Sequence, residues 1–181
     1  MIDDRVFTIS KHGLVIGWQA KTGQKVWEVD LKPIAGLSRP PEWGFSGSAY
    51  PVGENLIFDA GATIALQAKD GATSWVSEKF TPAYGTPKQF KVAGQEFLAT
   101  LKTEGLVILS VKDGKTVAAT DWRTSFQTNS NTPIVQEATD GKSAEIFIST
   151  GYKRGCALFR FDGKSFAKIY ENQAMSNHMN N

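Results

Sequence analysis

Four turn glycines, Gly23, Gly71, Gly114 and Gly163, recur at intervals of 48, 43 and 49 residues, each closing a similar pattern. The pattern is clearest in Leu14-Val-Ile-Gly-Trp-Gln-Ala-Lys-Thr-Gly-Gln-Lys-Val-Trp27 and Ala62-Thr-Ile-Ala-Leu-Gln-Ala-Lys-Asp-Gly-Ala-Thr-Ser-Trp75. It is weaker from Gly105 to Ala118 and weakest from Arg154 to Ala167. Repeats of about 40–50 residues are the mark of four-stranded propeller blades. Aligned on the glycines, Trp18, Leu66, Leu109 and Leu158 alternate with Ile16, Ile64, Val107 and Cys156. Period two predicts a strand with one buried face. Thr22-Gly23, Asp70-Gly71, Asp113-Gly114 and Asp162-Gly163 read as hairpin turns, with glycine taking the positive-φ position.

Upstream of each turn lie further short apolar runs: residues 5–10, 55–58, 96–100 and 145–149. Before the last three come Ser48–Val52, Thr86–Phe90 and Thr132–Val135, with proline near the start, where a missing N–H is tolerated. Each unit thus reads as inner, second, third and outer antiparallel strands, and no segment carries a convincing 3.6-residue period. The expected fold class is all-β, a β-propeller of about four blades, at roughly 1–33, 48–82, 83–126 and 127–174, with 175–181 leading into a next blade. The first unit starts at its second strand. That phase predicts an internal stretch of a longer ring, with a closed four-bladed ring as the alternative.

Charge and composition exclude other classes. Twenty basic and eighteen acidic side chains leave a net charge of +2 with no basic run, so no nucleic-acid partner is expected. No stretch nears the ~20 apolar residues of a membrane span. The single cysteine, Cys156, rules out an intrachain disulfide and cysteine-rich zinc sites, and reads as a small core side chain. His12 and His178 share no ligand spacing. Met1-Ile-Asp-Asp-Arg5 shows no signal-peptide pattern.

At the turn units the chain resembles the quinoprotein-type, PQQ-like propeller repeat family. Its repeat ends in Ala-x-Asp-x-x-Thr-Gly-Lys-x-x-Trp. The first unit matches with Thr22, Gly23 and Trp27, the second with Ala65, Asp70, Gly71 and Trp75. The third keeps Gly114 and Lys115 but has Ala118 for the tryptophan, and the fourth keeps Gly163 and Lys164 with Ala167 there. The resemblance implies that Trp27 and Trp75 dock one blade on the next, with Gly23, Gly71, Gly114 and Gly163 as the turn positions. Connecting segments such as Gly44–Ser48 and Ser149–Ala157 look closest to secreted repeat proteins of planctomycete-type bacteria. A periplasmic or secreted location is implied by the resemblance alone.

A PQQ-dependent alcohol dehydrogenase of that family uses a calcium-bound quinone, an aromatic platform, a carboxylate base and adjacent cysteines. One cysteine cannot supply such a pair. Asp70, Asp113, Asp140 and Asp162 fit turn chemistry better than metal ligation. Ser46, in Gly44-Phe-Ser-Gly-Ser48, lacks the hydrolase-elbow spacing. The expectation is therefore no catalytic, cofactor or metal residues, with a fragment of a PQQ-dependent oxidoreductase using PQQ and calcium as the alternative. The segments before each inner strand carry Arg39, Trp43, Tyr84, Asn129, Asn131 and His178. If the units are blades, these residues ring one channel mouth, where a small-molecule ligand or protein partner binds. Trp18 and Trp122 read as structural. An open propeller edge also invites self-association.

Overall fold

The computed structural model describes Ile2 and residues 4–178. Four antiparallel sheets follow one another along the chain. Sheet 1 holds β1 (Arg5–Ile9), β2 (Leu14–Gln19) and β3 (Lys25–Asp30). After a short helix come β4 (Tyr50–Val52), β5 (Asn55–Ala60), β6 (Ala62–Gln67) and β7 (Thr73–Val76) of sheet 2. Sheet 3 holds β8 (Lys88–Val92), β9 (Gln95–Leu101), β10 (Leu106–Ser110) and β11 (Thr116–Ala119). Sheet 4 holds β12 (Ile134–Glu137), β13 (Ala144–Thr150), β14 (Gly155–Phe161) and β15 (Phe166–Asn172). Sheets 2 to 4 have four strands and sheet 1 has three, its β1 corresponding in register to β5, the second strand of sheet 2. The sheets form part of a propeller and do not close into a ring.

Both faces of a middle sheet are apolar because each is covered. Leu56, Phe58, Ile64 and Leu66 turn to sheet 1, where they join Val15, Trp27 and Phe7 in one cluster. Ile57, Ala65 and Val52 turn to sheet 3 and meet Leu98, Val107 and Leu109. The largest cluster joins Phe90, Phe97, Leu106 and Ile108 of sheet 3 to Ile146, Ile148, Phe159 and Phe161 of sheet 4. Burying each such side chain fully contributes about 1.5–3 kcal/mol.

Every sheet has a register shift at one place on the strand next to its last: Gly17/Trp18, Ala65/Leu66, Ile108/Leu109 and Leu158/Phe159. This bulge gives a structural alignment of the repeats, and it corrects the fourth unit. Residues 67–72 separate the paired Leu66 and Thr73, whereas residues 160–167 separate Phe159 and Lys168. The last hairpin is two residues longer and turns at Asp162–Ser165, so alignment on Gly163 slips the strand by one. A one-residue slip exchanges the faces of a strand. Ala157, not Cys156, stands where Ile64 and Val107 stand, and Cys156 lies on the opposite face, buried, with its Sγ 3.3 Å from Asn172 Oδ1. Likewise Tyr170, paired with Leu158, occupies the place of Trp27 and Trp75, which pair with Gly17 and Ala65. Ala167 does not. The third unit does have Ala118 there, paired with Ile108.

One element escaped the strand reading. Leu31–Ala35 forms a helical turn, α1. Asp30 Oδ1 accepts from Lys32 N at 3.0 Å, and Gly36 closes the helix at φ 67°. Five residues are too few to show a helical period, so the caps alone mark it. Leu31 and Ala35 bury against sheet 2 and start the excursion 31–49 that carries Arg39 and Trp43.

Candidate functional site

In each blade the outer strand ends beside the hairpin joining the second and third strands. The sheet-to-sheet connections 31–49, 77–87 and 120–133 therefore gather at one end of the molecule, with residues 173–178. The predicted residues all lie on this end, but they form linked groups rather than one pocket.

Arg39 and Glu42 line an open cleft of about 770 Å³ with Lys11, His12 and Pro82. Trp43 beside it is 65% exposed. Half-buried Tyr84 hydrogen-bonds to the Trp43 backbone, and burial pushes its hydroxyl pKa up. Its amide donates to Asn129 O at 2.9 Å, which ties the second connection to the third.

Asn129 and Asn131 are buried and spoken for. Asn129 Nδ2 donates to Lys102 O at 2.7 Å and Trp122 O at 3.1 Å. Asn131 Nδ2 donates to Ser149 O and, at 2.9 Å, to Asn177 O. Both side chains thus tie together backbone from separate segments. Their Oδ1 atoms have no protein partner. His178 is exposed and packs edge-on against Tyr152, ring centroids 4.8 Å apart, while its carbonyl accepts from Ser130 Oγ.

Several members were not foreseen. Phe126, 68% exposed, stacks on Tyr152 at 4.5 Å. Tyr152 and Lys153 both hold φ 58°, a left-handed pair that non-glycine residues seldom adopt. No residue type in Gly151-Tyr-Lys-Arg154 announced that turn. A hydroxyl belt also runs across the inner ends of the sheets. Ser48 N donates to Thr86 Oγ1 at 3.0 Å, and Thr86 N donates to Thr132 Oγ1 at 3.2 Å. The repeated Thr-Pro of units three and four was its only sequence signal.

Beneath the connections lies a buried ion pair between sheets 2 and 3. Lys102 Nζ is 2.7 Å from Asp59 Oδ1, 2.9 Å from Gly61 O and 2.8 Å from Thr63 Oγ1. Thr100 Oγ1 donates to Asp59 Oδ2 at 2.6 Å. All three ammonium protons are placed, so Lys102 is held as a pin between blades rather than as a free base. Burial lowers its pKa, against the opposing pull of Asp59.

The docking positions show a graded picture. Trp27 Nε1 donates to Ala68 O at 3.0 Å, and its ring lies over Gly71. Trp75 Nε1 donates to Val111 O at 3.0 Å, and its ring lies over Gly114. Among the described residues none covers Gly23, and only Val92 lies near Gly163. Gly23 and Gly114 share φ +71°, so alanine costs the same backbone strain at both. Gly114→Ala is expected to destabilise by about 1–3 kcal/mol more than Gly23→Ala, since only there does the methyl strike a ring. Chemical denaturation of the two variants measures the difference, and equal effects would remove the packing role of Trp75.

Among the described residues no three His, Cys, Asp or Glu side chains gather as a metal site. No described helix is long and apolar enough to cross a membrane.

Four-stranded blades with loops gathered at one end define the class: a segment of a β-propeller of PQQ-like repeats. Residues 2–179 match the model of the family described as outer membrane protein assembly factor BamB, and the chain belongs to that family. Solved structures agree on the fold. BamB from Moraxella catarrhalis superposes with a TM-score of 0.57 at 18% identity, over 96% of this chain and 46% of that one. The computationally designed Ika8 protein gives 0.60 at 10% identity, over 98% and 49%. Quinohemoprotein alcohol dehydrogenase from Comamonas testosteroni gives 0.58 at 11% identity, over 97% and 34%. The chain spans less than half the length of each of these. No curated protein matches it by sequence.

Proposed function

We propose that this propeller segment is a non-catalytic binding or scaffold module, engaging a protein partner or ligand at the loop-bearing mouth. The observation that carries this reading is the set of exposed aromatic side chains on that end. Trp43, Phe126 and Tyr152 are 65%, 68% and 40% exposed, with Arg39 and His178 beside them. Aromatic residues and arginine are the side chains that most often anchor protein contacts. Membership of a family described as an outer membrane assembly factor supports a protein partner and a periplasmic location.

The test places a photo-crosslinking residue at Trp43 and, as a control, at Val26 on β3. Adducts at position 43 and none at 26 are the expected result. Adducts confined to 26 would overturn the mouth as the binding face. Titration with PQQ and calcium, followed by quinone absorbance, tests the alternative, and a bound quinone would overturn the non-catalytic reading.

A further inference from the structure

Asp-Gly occurs four times in the chain, at 70–71, 113–114, 140–141 and 162–163. In this dipeptide the glycine nitrogen can attack the aspartyl side-chain carbon, because glycine has no Cβ to hold it off. The fold decides which of the four nitrogens is free to do so. Gly71 N donates to Gln67 O, Gly114 N to Ser110 O and Gly141 N to Ala138 O, each at 2.9 Å. Gly71 and Gly114 also lie buried under the rings of Trp27 and Trp75. An amide held in such a bond is withdrawn from reaction until the turn opens.

Asp162–Gly163 differs on both counts. Phe161 pairs with Phe166, so the turn is the four residues 162–165. Asp162 N donates to Ser165 O at 3.3 Å, and Ser165 N donates to Asp162 Oδ1 at 2.8 Å. These bonds close the turn without Gly163, whose N–H has no hydrogen-bond partner among the described residues. Nor does a ring cover it. Sheet 3 has Ala118 at the docking position, and only Val92 comes within 4 Å of a Cβ placed on Gly163. The junction is made by sheets 3 and 4 themselves, so the opening belongs to their own contact.

We propose that Asp162–Gly163 is a site of spontaneous isoaspartate formation, and that the fold protects the other three Asp-Gly turns. The Asp162 carboxyl reacts as its neutral acid. A C–N bond forms between Gly163 N and Asp162 Cγ, and the bond from Cγ to the carboxyl hydroxyl breaks. The amide proton and that hydroxyl leave together as water. One water then opens the cyclic imide at either carbonyl, which returns aspartate or gives isoaspartate, so no oxidant or other reactant is consumed. The amides of Ser165 and Lys164 hold the carboxyl below the usual carboxylate range, so the neutral acid is scarce at neutral pH and the conversion is slow. The product adds one carbon to the backbone between Phe161 and Phe166, whose rings pack into the core shared by sheets 3 and 4.

The test incubates the folded 181-residue chain at mildly acidic pH, beside the same chain in urea, and maps isoaspartate by mass spectrometry with electron-transfer fragmentation. In the folded chain the product at Asp162 is expected to exceed that at each other Asp-Gly by at least ~10-fold, the effect of modest local protection. In urea the four sites are expected to converge. Amide hydrogen exchange gives a second reading, with Gly163 expected to exchange at least ~10-fold faster than Gly71, Gly114 and Gly141. Asp162→Glu, whose longer side chain would have to close a six-membered imide, is expected to abolish the product at this turn. Product concentrated at Asp70, Asp113 or Asp140, an even spread in the folded chain, the same ranking in urea, or a protected Gly163 amide would overturn the proposal.

Discussion

Asp59→Ala is expected to cost the fold about 3–5 kcal/mol, because it leaves the Lys102 ammonium buried without its counter-charge. The Lys102 side chain has no exposed surface, and that of Asp59 has 1%. The pH dependence separates this cause from lost packing. Burial lowers the Lys102 pKa below its ordinary 10.5. Between the folded and unfolded values the unfolded chain binds more protons, so stability rises with pH in that window. Removing Asp59 takes away the group that pulls the pKa up, so the window widens downward. Asp59→Ala should therefore regain stability as pH rises towards 10.5, by more than the wild type does. Urea denaturation at several pH values measures it. A pH-independent loss would show that the carboxylate acts through shape alone. The paired change Asp59→Leu with Lys102→Met should cost much less than Asp59→Ala, since no charge is left stranded.

Phe161→Ala should cost about 3–5 kcal/mol, at the upper end for a core aromatic. Phe161 is fully buried where sheets 3 and 4 meet, edge-on to Phe97 at 5.1 Å and Phe90 at 5.8 Å, with Phe166 at 5.6 Å. This junction has Ala118 where the other two place a tryptophan. Phenylalanines from the lengthened fourth hairpin fill the space instead. Trp27→Ala and Trp75→Ala remove one docking ring each, whereas Phe161→Ala opens a cavity shared by three partners. Thermal unfolding of the variants ranks them, and a smaller loss for Phe161 than for Trp75 would show that the third junction relies on its backbone contacts.

The strands were readable because short apolar runs are set off by glycine turns, although β6 and β10, buried on both faces, show no alternation. Trp27 and Trp75 follow their turn glycines at one fixed spacing in the sequence, and their rings lie over Gly71 and Gly114. Tyr170 was not legible, because two extra residues in the hairpin moved it away from the glycine used to align it. Only pairing with Leu158 gives its place. The candidate residues of the loops were found as residue types, yet their roles differ with burial. Trp43 is open, while Asn129 and Asn131 spend their amides on carbonyls of segments distant in sequence.

The sequence by itself determined the four repeats, the all-β class and the turn positions, since periodicity and glycine turns act within a few residues. The tertiary structure alone decided which face of each strand is covered, where Lys102 finds its charge, and which aromatic residues remain in solvent. Those depend on contacts between sheets some forty residues apart, and a one-residue change of register reverses them.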